Sequence, residues 1–174
     1  MHGGLTFINK KSQDEKIRFL FVFLIVFVSW VVQIAILGKY PVFDTVLNIL
    51  YLGTIFFGIT YGAKLGSFFG ILASFFISTL LYDHIFYFSY PLIGLITGIL
   101  RKNIFSDDSL FFLILVFILF FPFEFLNGWQ YSLKNSFDFY QKYFSVAFYG
   151  SVTHLIFSLF YYFSIKYITK KINL

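Results

Sequence analysis

"YGAKLGSFFGILASFFIS", residues 61–78, places Gly62, Gly66, Gly70, Ser74 and Ser78 four residues apart in a run that is otherwise bulky and apolar. Four-residue spacing keeps side chains near one face of an α-helix, so the stretch reads as a helix with a groove along one side. Such a groove matters most in hydrocarbon. Lipid tails are as apolar as Leu or Phe, and burying large side chains between helices gains little there. Close approach of backbones, which only small residues permit, gains dispersion and weak Cα–H···O contacts instead.

The rest of the chain fits that solvent. Of 174 residues, 59% are hydrophobic and 25% aromatic, with only 12% charged, a make-up far too apolar for a soluble domain. Several runs approach the roughly 20 apolar residues that span a bilayer. The fold class expected is an all-α membrane protein, a bundle of six transmembrane helices at 17–37, 43–60, 65–81, 85–100, 110–126 and 144–165. One integral membrane domain covers 1–174, with an N-terminal segment 1–16, an external interfacial segment 127–143 and a tail 166–174. Only "YGAK" separates the second and third spans, and "YDH" the third and fourth, so tight antiparallel hairpins are expected. The first span is too long for a signal-peptide core and no small-residue cleavage pattern follows it, so it reads as retained.

Six spans put both termini on one side. Ten basic residues fall on that side, among them Lys16, Arg18, Lys64, Arg101, Lys166 and Lys170, against three on the other, Lys39, Lys134 and Lys142. Basic residues near span ends are retained on the cytoplasmic face, so both termini are expected inside. The net charge of +5 thus reports orientation, and no nucleic-acid partner is expected. In "NGWQYSLKNSFDFYQKYF", residues 127–144, Trp129, Leu133, Phe137 and Phe144 recur at helical spacing among polar residues. That suits either a segment lying among the headgroups or an ordinary loop with belt aromatics.

Each four-residue step overshoots a helical turn by about 40°. From Gly62 to Ser78 the stripe drifts by about 160°, so one straight partner is expected to cover only part of it. The nearest partner is the fourth span, which carries Gly94 and Gly98 in "PLIGLITG". Three uses remain open for these residues: packing within the bundle, docking of another protein near Ser74 and Ser78, and lining of a ligand cavity.

Ionisable residues within spans are functional candidates by default. Glu124 lies near the outer end of the fifth span, after Pro122, and His154 near the middle of the sixth. They differ in depth by on the order of 10 Å, too far for a direct pair. Ser151 shares a face with His154, but hydroxyls in membrane helices usually bond their own backbone, so no catalytic residue is assigned. Asp83 and His84 sit at an external turn without a third ligand in view, and no metal site is assigned. The chain has no cysteine, which excludes disulfides and thiolate chemistry. Gln33 and Asn48 read as interhelical hydrogen-bonding groups. With no phosphate-binding loop, zinc-protease helix or paired acidic motif, neither cofactor nor enzymatic activity is expected.

The order of "KYPVFDTVLNILYL", "YGAKLGSFFGILASFF" and "YPLIGLITGILRK" across residues 17–165 resembles the MreD family of bacterial rod-shape-determining membrane proteins. Tyr40 and Pro41 precede the second span, Gly62, Gly66 and Gly70 thread the third, and Gly94 and Gly98 precede Arg101 and Lys102. Members of that family often carry an acid where this chain has Ser74. The resemblance implies a multi-pass, non-catalytic scaffold of the cell-elongation machinery in the bacterial cytoplasmic membrane. Such a protein binds MreC and helps link the MreB cytoskeleton, with other membrane proteins of that machinery, to peptidoglycan synthesis. It also implies a fold like that of the S components of vitamin transporters. The alternative is therefore a substrate-binding S component of a micronutrient uptake system, with Glu124, Asn127, Asp83 and Trp129 around an external cavity. The first span is bulky until Ser29 and lacks the small-residue groove that such proteins use to dock their energy-coupling subunit.

Overall fold

The structure, a computed structural model, describes residues 3–40, 46–80, 87–104, 109–135 and 143–171. Among these there is no strand. Six α-helices follow in order: α1 (Gly3–Ala35), α2 (Ile49–Tyr61), α3 (Ala63–Leu80), α4 (Ser89–Ile104), α5 (Ser109–Asn135) and α6 (Tyr143–Lys171), with a 3-10 turn at Leu37–Lys39 after α1. Three segments are long and apolar enough to cross a membrane: Glu15–Lys39, Ser109–Gln130 and Tyr143–Lys171. The other three helices have 13, 18 and 16 residues, about 20 to 27 Å at 1.5 Å per residue.

The shortest helix is the centre. Every residue of α2 from Ile49 to Ile59 is buried, as expected for a helix apolar all round. α3 and α4 pack on it most closely, and α1, α5 and α6 also touch it. α3 with α4 and α5 with α6 form tight pairs, whereas the Cα atoms of α1 and α6 nowhere come within 8 Å of each other among the described residues. Outside this core, large apolar side chains point away from the protein, including Leu20 on α1, Ile118 on α5 and Phe160 on α6. A surface of that kind suits lipid as solvent.

Aromatic rings fill the space between α2 and its neighbours. Tyr51 lies 4.6 Å from Phe123, Phe57 stacks on Phe69 at 5.0 Å, and Tyr162 meets Phe56 at 5.7 Å and Phe112 at 5.2 Å. Such pairs contribute about 0.5–1.5 kcal/mol each beyond area burial. The high Phe and Tyr content thus has a packing role around α2, complementary to the small residues where α3 and α4 meet.

Several boundaries differ from the sequence-based expectation, with α1 starting at Gly3, α4 at Ser89 and α6 running on to Lys171, and two of the differences bear on the site. The second span was expected from 43, but α2 begins at Ile49. Residues 46–48 are not helical, and Asn48, in extended conformation, caps the helix by accepting from the Tyr51 N–H at 3.0 Å. Hydropathy extends the span backwards because Val46 and Leu47 are apolar, whereas the cap ends the helix at Asn48. The fifth span was expected to stop at 126, but α5 continues to Asn135, carrying Trp129 and Leu133 of the interfacial stretch as its last turns. α5 also runs through Pro122. Beside that proline, the Tyr143 hydroxyl donates to the Phe121 carbonyl at 2.7 Å.

Candidate functional site

Two constructions converge on α2: a junction of glycines at its C-terminal half and a polar cap at its N-terminus.

The glycines of α3 and α4 meet in antiparallel register. Ser74 donates to the Tyr87 carbonyl, Gly70 faces Tyr90 and Pro91, Gly66 faces Gly94, and Gly98 faces Ala63. A Cβ on Gly66 would stand 2.6 Å from Gly58 Cα on α2 and 2.7 Å from the Gly94 carbonyl oxygen. One on Gly70 would lie 2.6 Å from Pro91 N, and one on Gly94 would run into the Gly66 carbonyl and sit 2.8 Å from Ser67 N. Each glycine thus faces backbone, which cannot swing aside as a flexible side chain can. Gly58 joins this contact from α2, where a Cβ would come 3.0 Å from the Gly94 carbonyl and collide with the Thr97 hydroxyl. Three backbones meet at Gly58, Gly66 and Gly94.

The drift of the stripe limits any one partner to part of it, and α4 with its lead-in residue Tyr87 faces α3 from Ala63 to Ser74, leaving Ser78 and the side-chain position of Gly62 outside the contact. One expectation is corrected here. Gly62 was read as a packing residue, but it precedes α3 and a Cβ there would meet nothing within 4 Å. It ends α2 with φ +87°, its N–H bonded to the Gly58 carbonyl at 2.9 Å, so its glycine serves the turn. Ser78, at the far end of the stripe, donates to the Phe75 carbonyl of its own helix at 2.7 Å.

At the other end of α2, a helix N-terminus lies inside the bundle. The first N–H groups of any helix lack partners within it, and in a dry interior each must find one elsewhere. Gln33 of α1 accepts from the Ile49 N–H through Oε1 at 2.9 Å, and His154 of α6 accepts from the Asn48 N–H through Nε2 at 2.7 Å. Asn48 Nδ2 donates to the Tyr90 hydroxyl of α4 at 2.7 Å. Since Nε2 accepts, the His154 ring carries its proton on Nδ1, which reaches the Gly150 carbonyl at 2.6 Å; the tautomer follows from the partners. The ring is held between Phe120, at 4.4 Å, and Tyr51, at 5.6 Å edge-on. Side chains from α1, α2, α4 and α6 thereby close one helix end.

The remaining candidates fall around this cap. Ser151 and Thr153 donate to carbonyls of their own helix, at 2.8 and 2.9 Å, and both nitrogens of His154 are engaged, so Ser151 and His154 form no nucleophile and base pair. Glu124 is within electrostatic reach of Tyr51, Tyr90 and Tyr143 and forms no ion pair among the described residues. Asn127 accepts from the Ser89 hydroxyl, and Trp129 packs edge-on against Phe88 at 6.5 Å. Asp83 and His84 lie outside the described residues. No group of three or more potential metal ligands occurs among the described residues.

Sequence reasoning placed Asn48 and His154 in the interior but missed that they meet, since 106 positions separate them. It also missed Gly58, which lies four residues before Gly62 and continues the spacing of the stripe, but on the preceding helix. What the fold and the site define is a class: an all-helical chain with several helices of membrane-crossing length and apolarity. No family model, curated protein or solved structure matches it.

Proposed function

We propose that the chain is a six-span scaffold of a bacterial cytoplasmic membrane, with both termini inside, acting without catalysis in cell elongation by binding MreC. Basic-residue asymmetry and the motif order shared with the MreD family support this reading. The observation that carries it is the closure of the α2 N-terminus by Gln33, Asn48 and His154. In transport proteins, helix ends at membrane depth serve as sites for charged ligands, whereas here the chain's own side chains fill that role. With α4 occupying the glycine groove as well, a partner helix has to meet an outer face. We place it along the seam between α1 and α6, whose Cα atoms nowhere come within 8 Å of each other among the described residues.

The test is co-purification from membranes with the MreC of the same organism, together with cross-linking from single cysteines at Val28 on α1 and Phe157 on α6. Retention of MreC with cross-links at both positions supports the reading, and a folded protein that retains no MreC contradicts it. One observation favours the alternative of an uptake S component: Glu124 is a carboxyl in an apolar helix, without an ion pair among the described residues. A purified sample that holds a vitamin-sized ligand, lost on Glu124→Gln, would establish that alternative.

A further inference from the structure

At the end of the bundle where α2, α4 and α6 finish and the apolar part of α1 begins, a cavity of about 460 Å³ opens to the surface. Four cations line it from three helices: Arg18 on α1, Arg101 on α4, and Lys166 and Lys170 on α6. Thr60 and Tyr61, at the end of α2, add hydroxyls. The volume is that of a small-ligand site.

Two structural causes account for part of this charge. Helix C-termini attract cations, and basic residues gather on one membrane face. Both would be met by cations spread over separate helix ends, each turned to water. Convergence on one cavity adds mutual repulsion, strengthened by the hydrocarbon alongside, and calls for an anion. Among the described residues there is little to supply it. Glu15 lies in an adjoining smaller cleft, where it pairs with Lys64 at 3.6 Å. Arg18, Arg101 and Lys170 make no ion pair among the described residues. Lys166 is held in place by donating to the hydroxyl of the buried Tyr162 at 3.1 Å.

We propose that this cavity binds a phosphate-bearing anion, presented by the headgroup of an anionic phospholipid. Two guanidinium groups from different helices offer paired N–H donors matched to phosphate oxygens, and the lysines add point charges. Beside the basic rim, Ile17, Leu20 and Phe163 are exposed, giving acyl chains a surface to follow. Basic pockets between helices at a membrane face commonly hold such headgroups. The site is independent of whether the protein is a scaffold or an uptake component.

The experiment uses the full chain in detergent with phosphatidylglycerol, phosphatidylcholine or inorganic phosphate added, and native mass spectrometry counts what stays bound. Arg18→Gln/Arg101→Gln/Lys170→Gln is compared with the charge-matched Lys16→Gln/Lys39→Gln/Lys171→Gln. The parent and the charge-matched variant are expected to retain phosphatidylglycerol over phosphatidylcholine, with the cavity variant about tenfold weaker. Displacement of the lipid by millimolar phosphate would assign the site to phosphate from either source, and failure to displace would assign it to the lipid. Equal retention of the two lipids by the parent, or equal phosphatidylglycerol binding by the two variants, overturns the proposal. Should the triple variant fail to fold, Arg18→Gln and Arg101→Gln are measured singly, and lipid binding equal to the parent by both overturns it as well.

Discussion

The backbone N–H of Asn48 donates to Nε2 of His154 at 2.7 Å, joining the start of α2 to the middle of α6. The same ring reaches the Gly150 carbonyl through Nδ1 at 2.6 Å, so one imidazole bridges a helix end and a helix interior. His154→Leu would leave the Asn48 N–H buried without an acceptor, a loss of about 1–3 kcal/mol. His154→Gln retains an acceptor and is expected to cost less. Thermal unfolding in detergent distinguishes them, and equal stability of the two variants would remove the hydrogen bond from the account.

Gln33 supplies the second acceptor at that helix end. Gln33→Leu leaves the Ile49 N–H unpaired, and its effect should be less than additive with His154→Leu, because both act on one helix terminus. A double-mutant cycle measured by unfolding checks this. Full additivity would mean that the two caps act independently.

Glu124 places a carboxyl in an apolar helix without an ion pair among the described residues. A charge in such surroundings costs free energy unless paired. Glu124→Gln is therefore expected to leave the melting temperature in detergent unchanged or raised. A clear drop would mean that the carboxylate has a structural partner.

The absence of cysteine makes membrane topology directly accessible. Single cysteines at Lys16, Lys39 and Lys171 can be labelled in intact cells with a membrane-impermeant maleimide. The six-span reading expects Lys39→Cys to be labelled from outside, and Lys16→Cys and Lys171→Cys only after the membrane is opened. External labelling of either terminal position would contradict that topology.

Much of the fold was readable because composition and spacing carry it. The helical class follows from apolar run lengths, and the α3 and α4 pairing from small residues at matched intervals. The ends of elements were harder to read. Asn48 stops α2 inside a run that hydropathy extends to 43, and α5 continues past the polar residues after Leu126 because Asn127 and Trp129 find partners at the start of α4. Gly62 shares the spacing of the packing glycines but serves a turn, a difference that appears only in its φ of +87°. The polar cap was readable only as separate residues, since what joins Gln33, Asn48, Tyr90 and His154 is tertiary structure. Gly58 continues the four-residue spacing back from Gly62, but its role depends on two glycines from other helices.

The junction of Gly58, Gly66 and Gly94 is where the account is most exposed. A solid-state NMR distance in bilayers, between Cα of Gly66 and the carbonyl carbon of Gly94 in a selectively labelled sample, tests it most directly. Backbones in Cα–H···O contact predict a strong coupling, with the two carbons within about 5 Å. Loss of that coupling, with Gly66 Cα showing contacts to lipid acyl chains instead, would contradict it.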